Sequence, residues 1–163
     1  MKVHLCEKRR DGFTALEVIA VIFVIAVVGV TAASRIASKT YYDIAAETEI
    51  LKANLRYAQF RALSDADTNY GVNNATWGIS LSGSSYTLQR NGSAATTNFP
   101  GESSSTHNLP NGISVTAGTV TYNIWGIPVD AAGLPLAGNV TIVISDGTSS
   151  QTVTITRHTG FVP

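Results

Sequence analysis

Three groups of residues in this 163-residue chain have types and spacings that could do chemistry. The first is Glu17, a carboxylate at the head of an apolar run, Gly12-Phe13-Thr14-Ala15-Leu16-Glu17-Val18. Beyond it, Val18 to Val30 carries no charged or hydrogen-bonding side chain. A charge inside a membrane helix costs about 2.5–3.5 kcal/mol at the helix centre, and such groups usually mark function. Near one end, the same carboxylate can snorkel to the headgroups at lower cost. The second group is His107 beside Glu102, with Ser103, Ser104 and Ser105 adjacent, from which a hydrolytic triad can be imagined. Neither a nucleophile elbow nor metal-ligand spacing accompanies it, so a solvated polar loop and no enzymatic activity are expected. The third is a zinc site, which would have to be built from His107, His158 and carboxylates. No metal and no other cofactor is expected.

The cysteine count narrows these options. Cys6 is the only cysteine, and it sits in the basic N-terminal stretch, so residues 13–163 cannot form an internal disulfide. A lipoprotein reading of Cys6 fails because no apolar region precedes it. The formal charge of zero hides a split: residues 1–12 carry Lys2, Lys8, Arg9 and Arg10 against Glu7 and Asp11, a net of +2. The remainder has seven basic and nine acidic residues, a net of −2. Asn74-Ala75-Thr76, Asn91-Gly92-Ser93 and Asn139-Val140-Thr141 match glycosylation sequons, as a chain rich in Asn and Thr readily does.

The elements that must position these residues follow from periodicity. Phe13 to Ala33 supplies about 21 residues, close to the ~20 that cross a ~30 Å hydrocarbon layer. A secretory signal would need a shorter apolar core and a cleavage site, which Ala32-Ala33-Ser34 only imitates. Lys8, Arg9 and Arg10 outnumber Arg35 and Lys39, so the N-terminus is expected in the cytoplasm and everything after residue 34 outside it. The helix continues: Ile44, Thr48, Leu51, Leu55, Ala58 and Ala62 recur in steps of four and three. Asp43, Glu47, Glu49, Lys52, Arg56 and Arg61 fall mostly off that stripe. A helix over residues 13–64 would be roughly 75–80 Å long.

After Asp65 the pattern becomes that of strands. Residues 77–81 and 86–90 alternate with period two around a Ser82–Ser85 hairpin turn, 119–125 alternates as well, and 140–144 and 152–156 flank a turn at 146–150. A sixth strand is expected near 113–115. Residues 91–112 and 126–138 read as long connections, either functional or mobile loops or plain irregular surface loops.

A basic leader ending in Gly12, then Phe13, a Glu four residues on and an uninterrupted apolar helix resembles the signal of type IV pilins and type II secretion pseudopilins. The resemblance implies cleavage between Gly12 and Phe13 by a prepilin peptidase, N-methylation of Phe13, and subunit assembly through Glu17. In that family the carboxylate pairs with the α-amine of a neighbouring subunit's first residue. An unpaired carboxylate among apolar side chains is strongly disfavoured, so Glu17 would set register. Two departures stand out: Ala15 where the family usually has Leu or Ile, and Ser34 where it commonly has a helix-kinking proline.

Leu55-Arg56-Tyr57-Ala58, Trp77-Gly78, Ile124-Trp125-Gly126-Ile127-Pro128 and Arg157-His158-Thr159-Gly160-Phe161 are similar to the H-type minor pseudopilin and FimT/FimU minor pilin group. Major pilins often carry a C-terminal disulfide loop, and major pseudopilins carry calcium ligands. Here only Asp146 offers a ligand near the C-terminus, a poor start for six to eight oxygens. The implied fold is α+β, a long N-terminal helix packed on an antiparallel β domain. Its parts would be a leader over 1–12, a transmembrane helix over 13–34, an amphipathic continuation over 35–66 and a periplasmic β-rich domain over 67–163. The implied role is a structural subunit of a secretion pseudopilus or pilus in the bacterial inner membrane. Its partners would be the prepilin peptidase, other pilins and the assembly platform. The alternative is a DNA-binding minor pilin, but one tail arginine, Arg157, on an acidic domain makes nucleic acid a poor expectation, since phosphate contacts need clustered cations.

Overall fold

The computed structural model describes residues 14–65 and 76–163, with the side chains of 31–41 excepted. The leader 1–12 with Cys6 and Gly12, the first residue of the expected mature chain, Phe13, and the boundary expected at 66–67 lie outside the described residues. The side chains of 31–34, which would complete the membrane segment, do so too. The chain divides into two compact units, Met1–Lys39 and Thr40–Pro163, and one helix, α1 (Ala15–Ser64), contributes to both.

In the first unit the helix starts for a local reason. Thr14 stands at the N-cap, where its Oγ1 accepts the Glu17 N–H at 3.3 Å. Its carbonyl accepts the N–H groups of Glu17 and Val18 at 3.0 and 3.2 Å. The bonds to Glu17 satisfy a donor that a helix start otherwise leaves open, and the bond to Val18 is the first regular turn. The apolar side chains that follow are exposed, from Leu16 at 78% to Val30 at 74%. Among the described residues no helix is long and apolar enough to cross a membrane. The segment expected to do so extends past the described side chains at both ends.

The second unit is α+β with antiparallel sheets. The expected stripe is its helical contribution to the core: Ile44, Thr48, Leu51, Leu55, Ala58 and Ala62 are all buried. One sheet has the order β3-β2-β1-β6-β7, built from β1 (Trp77–Leu81), β2 (Ser85–Arg90), β3 (Ser93–Ala94), β6 (Gly118–Tyr122) and β7 (Pro128–Val129). A further strand, β4 (Thr106–Asn108), pairs with the first half of β2. The second sheet orders β5 (Ser114–Val115), β8 (Val140–Ser145) and β9 (Ser150–Ile155) as β5-β8-β9. The register sets Ile79 opposite Leu88 and Val120, and Trp77 opposite Tyr122. Period-two alternation therefore puts these side chains on one face, where they form a single core with the helical stripe and with Ile142, Ile144, Val153 and Ile155.

Three expectations need correction. The connections 91–112 and 126–138 are not irregular loops, because they contain β3, β4 and β7, each two or three residues long. The strand expected over 119–125 ends at Tyr122. There the Asn123 side-chain carbonyl accepts the N–H groups of Trp125 and Ile127, both at 3.0 Å, and folds the backbone into a turn. Glu47, placed off the stripe, is buried. A buried carboxylate requires a partner, and the partner is sixty residues away.

Candidate functional site

Of the residues expected to carry the N-terminal chemistry, Glu17 lies among the described ones, and Gly12 and Phe13 do not. Glu17 occupies the first turn of α1, where a carboxylate complements the positive end of the helix dipole. Its side chain is exposed. The Thr14-x-x-Glu17 spacing is that of a capping box, and this was the signal by which sequence alone could have located the helix start.

In the second unit, three separated motifs meet around one helical side chain. Gln59 Nε2 donates to the carbonyl of Gly126 at 2.9 Å and to that of Thr159 at 2.7 Å. One turn earlier, Arg56 donates through Nε and Nη2 to the carbonyl of Val162, at 3.2 and 3.0 Å, and Val162 itself is fully buried. The helix segment after Leu55, the turn at 124–128 and the tail from Arg157 are thereby tied together. Glycine is required at 160: φ is +66°, and a Cβ there would collide with the Gly126 carbonyl and come within 2.6 Å of Gln59 Nε2. Trp77 is held at the other end of this helical stretch. Its Nε1 donates to Asp65 at 2.8 Å, and the Arg61 guanidinium lies 4.6 Å from its ring centre.

His107 bridges two carboxylates. Nδ1 lies 2.7 Å from Glu102 and Nε2 lies 2.9 Å from Glu47, while the ring stacks on Tyr86 with centroids 4.8 Å apart. Burial alone would lower its pKa, but the hydrogen bonds to Glu102 and Glu47 outweigh that and raise it above the ordinary histidine value. Tyr86 in turn accepts from Asn54 Nδ2 at 3.1 Å, and burial pushes its own pKa well above the usual tyrosine value.

This geometry corrects the reading of that segment as a solvated polar loop. His107 and Glu102 do meet, yet they make no triad with Ser103–Ser105. A triad needs the second ring nitrogen for its serine, and Glu47 occupies it. The two carboxylates also meet different edges of the ring and do not converge on one point. Among the described residues, no group of three His, Cys, Asp or Glu is placed to hold a metal. His158 instead accepts from Arg157 Nε at 2.9 Å.

Most cations of this unit are engaged within the fold, although Arg61, over Trp77, keeps a buried Nε with no hydrogen-bond partner among the described residues. Lys52 pairs with Glu49 and Arg90 with Asp65, both at 2.9 Å. Arg157, the tail cation considered for phosphate binding, donates through Nη1 to the Ala137 carbonyl. An open concavity of about 860 Å³ faces Gln89, Thr119, Thr121 and Asp130. There Asp130 Oδ1 is already engaged, accepting the N–H groups of Ala132 and Leu134 at 2.9 Å each. No protein-family model, curated protein or solved structure matches the chain.

Proposed function

We propose that this chain is a minor pilin or pseudopilin. In this reading it is a structural subunit that a prepilin peptidase processes between Gly12 and Phe13, and that then joins or primes a filament through its N-terminal helix. The supporting observation is the two-part character of α1. Its first part is capped at Thr14 and carries exposed apolar side chains broken only by Glu17. Its last part buries a regular stripe in a β domain. A helix with an unburied apolar half needs either lipid or copies of itself around it. A subunit that moves from bilayer to filament core uses both in turn. Glu17 then needs a cationic partner, and the α-amine of Phe13 on a neighbouring subunit supplies one at the matching end of the helix. We assign the chain no enzymatic role and no cofactor, and place it in the bacterial inner membrane with its β domain in the periplasm.

The test is intact-mass measurement on the chain expressed beside a prepilin peptidase. The expected product begins at singly methylated Phe13. A mature chain beginning near Ser34 would overturn the proposal, because the apolar helix would then be a discarded secretory signal.

A further inference from the structure

His107 links two elements that are otherwise far apart in sequence: α1 through Glu47, and the turn at 99–104 through Glu102. Two ionised carboxylates can both accept from one imidazole only when both ring nitrogens carry protons, which is the imidazolium form. The neutral ring has one N–H, so one carboxylate must lose its donor. The two differ in their access to water. The Glu47 side chain retains 11% of its exposure and projects from the middle of a helix, whereas that of Glu102 retains 26% and belongs to a turn at the surface. A carboxylate stranded at Glu47 would be desolvated without compensation, while one released at Glu102 can hydrate.

We propose that Glu47, His107 and Glu102 form a pH-operated latch, in which loss of the Nδ1 proton to solvent frees Glu102 and its turn while Nε2–H stays on Glu47. The moving part is small. Phe99 is buried and packs edge-on against Tyr86 at 5.6 Å, which pins the start of the turn, and β4 pins its end through its pairing with β2. Between them the turn relies on two backbone bonds, Glu102 N–H to the Phe99 carbonyl at 3.1 Å and Phe99 N–H to the Ser104 carbonyl at 3.2 Å. Gly101 stands at φ +80° between them. The charged groups acting on the ring are Glu47 from α1 and Glu102 from the turn. Asp43 lies one helical turn before Glu47, and Tyr86 on β2 stays protonated through this pH range because burial raises its pKa. The latch is independent of the filament reading.

The experiment is nitrogen-detected NMR of the histidine rings in the full chain in detergent, with amide hydrogen exchange across pH 5–9. His107→Gln assigns the signal. The expected result is a doubly protonated ring at low pH and the Nε2–H tautomer at high pH. Protection of the Glu102 amide, corrected for intrinsic exchange, should fall about tenfold through the transition, as loss of one charge-assisted bond implies. Glu102→Gln offers both a donor and an acceptor to Nδ1, so it should abolish that pH dependence while keeping the turn protected. An Nδ1–H tautomer at high pH, or undiminished pH dependence in Glu102→Gln, would overturn the latch.

Discussion

The Gln59 amide donates to the Thr159 carbonyl at 2.7 Å across a separation of one hundred residues, and the same nitrogen also serves Gly126. One side chain thus satisfies two carbonyls that lie outside the strands. Gln59→Ala is expected to destabilise the domain by about 1 kcal/mol, since it leaves the part-buried Gly126 carbonyl unpaired while the exposed Thr159 carbonyl can hydrate. Gln59→Glu should do more harm at neutral pH than at pH 4, since a carboxylate would face two carbonyl oxygens. Urea unfolding midpoints at the two pH values check both; an unchanged midpoint for Gln59→Ala would mean that Gln59 does not hold the turn and the tail to the helix.

Gly160 meets two penalties at once, a left-handed backbone and a filled space. Gly160→Ala should cost about 2–4 kcal/mol, from positive φ together with the collision at Gly126 and Gln59. Gly83→Ala is the control, because φ is +88° there with nothing within 4 Å of the added carbon. It should cost only about 1–2 kcal/mol. Thermal unfolding of the two variants separates strain from clash, and equal losses would mean that the tail yields freely.

The sign of the pH dependence at His107 follows from its raised pKa. The folded state binds the proton more tightly than the unfolded one, so its stabilisation is complete below the unfolded value of about 6.5. It is lost as pH rises through the higher folded value. Melting temperatures should therefore fall from pH 5.5 to pH 8.5 in the parent chain, and His107→Gln should flatten that slope. A parent chain that gains stability over the same range would contradict the assignment.

Tyr86 and Tyr122 are both buried, and burial raises both hydroxyl pKa values, yet they differ in one respect. Tyr86 accepts from Asn54, whereas the Tyr122 hydroxyl has no hydrogen-bond partner among the described residues. Tyr86→Phe should cost about 1 kcal/mol by orphaning the Asn54 donor. Tyr122→Phe should be neutral or slightly stabilising, because it removes a polar group buried without compensation. Chemical denaturation of the pair gives the comparison directly, and a larger loss at Tyr122 would expose a missing partner.

Glu17 has two separable roles. Its place three residues after Thr14 favours the helix start, a role that Gln also fills in a capping box. Its charge is what the proposed pairing with a neighbouring α-amine requires. Glu17→Gln should therefore retain cleavage and methylation while failing in filament incorporation as badly as Glu17→Val. Incorporation of the Gln variant at parental level would reduce Glu17 to a helix-start residue.

Much of this fold was legible because its periodicities are strong. The helical stripe from Ile44 to Ala62 and the alternation in β1, β2, β8 and β9 each repeat often enough to stand out. β3, β4 and β7 were not legible, since two or three residues cannot display a period. Their existence depends on the strands they join. The burial of Glu47 was not legible for a related reason: helical spacing places it off the apolar stripe, and only a histidine sixty residues on makes its burial tolerable. The His107–Glu102 proximity was visible, but the helix residue that takes the other nitrogen was not. Gly12, Phe13 and Glu17 were singled out by residue type and order alone, and of these Glu17 can be placed.

The bond from Arg56 to the Val162 carbonyl has a consequence for how the domain is made. The helix that carries Arg56 leaves the ribosome long before residue 162 exists, and Val162 itself fills part of the interior. The domain cannot complete its core before residue 162 has been made, however early its helix forms, because loop closure over that separation must wait for the chain. Until then Arg56 lacks its carbonyl partner and the interior lacks the Val162 side chain. If the domain is exported as proposed, that delay would keep it threadable.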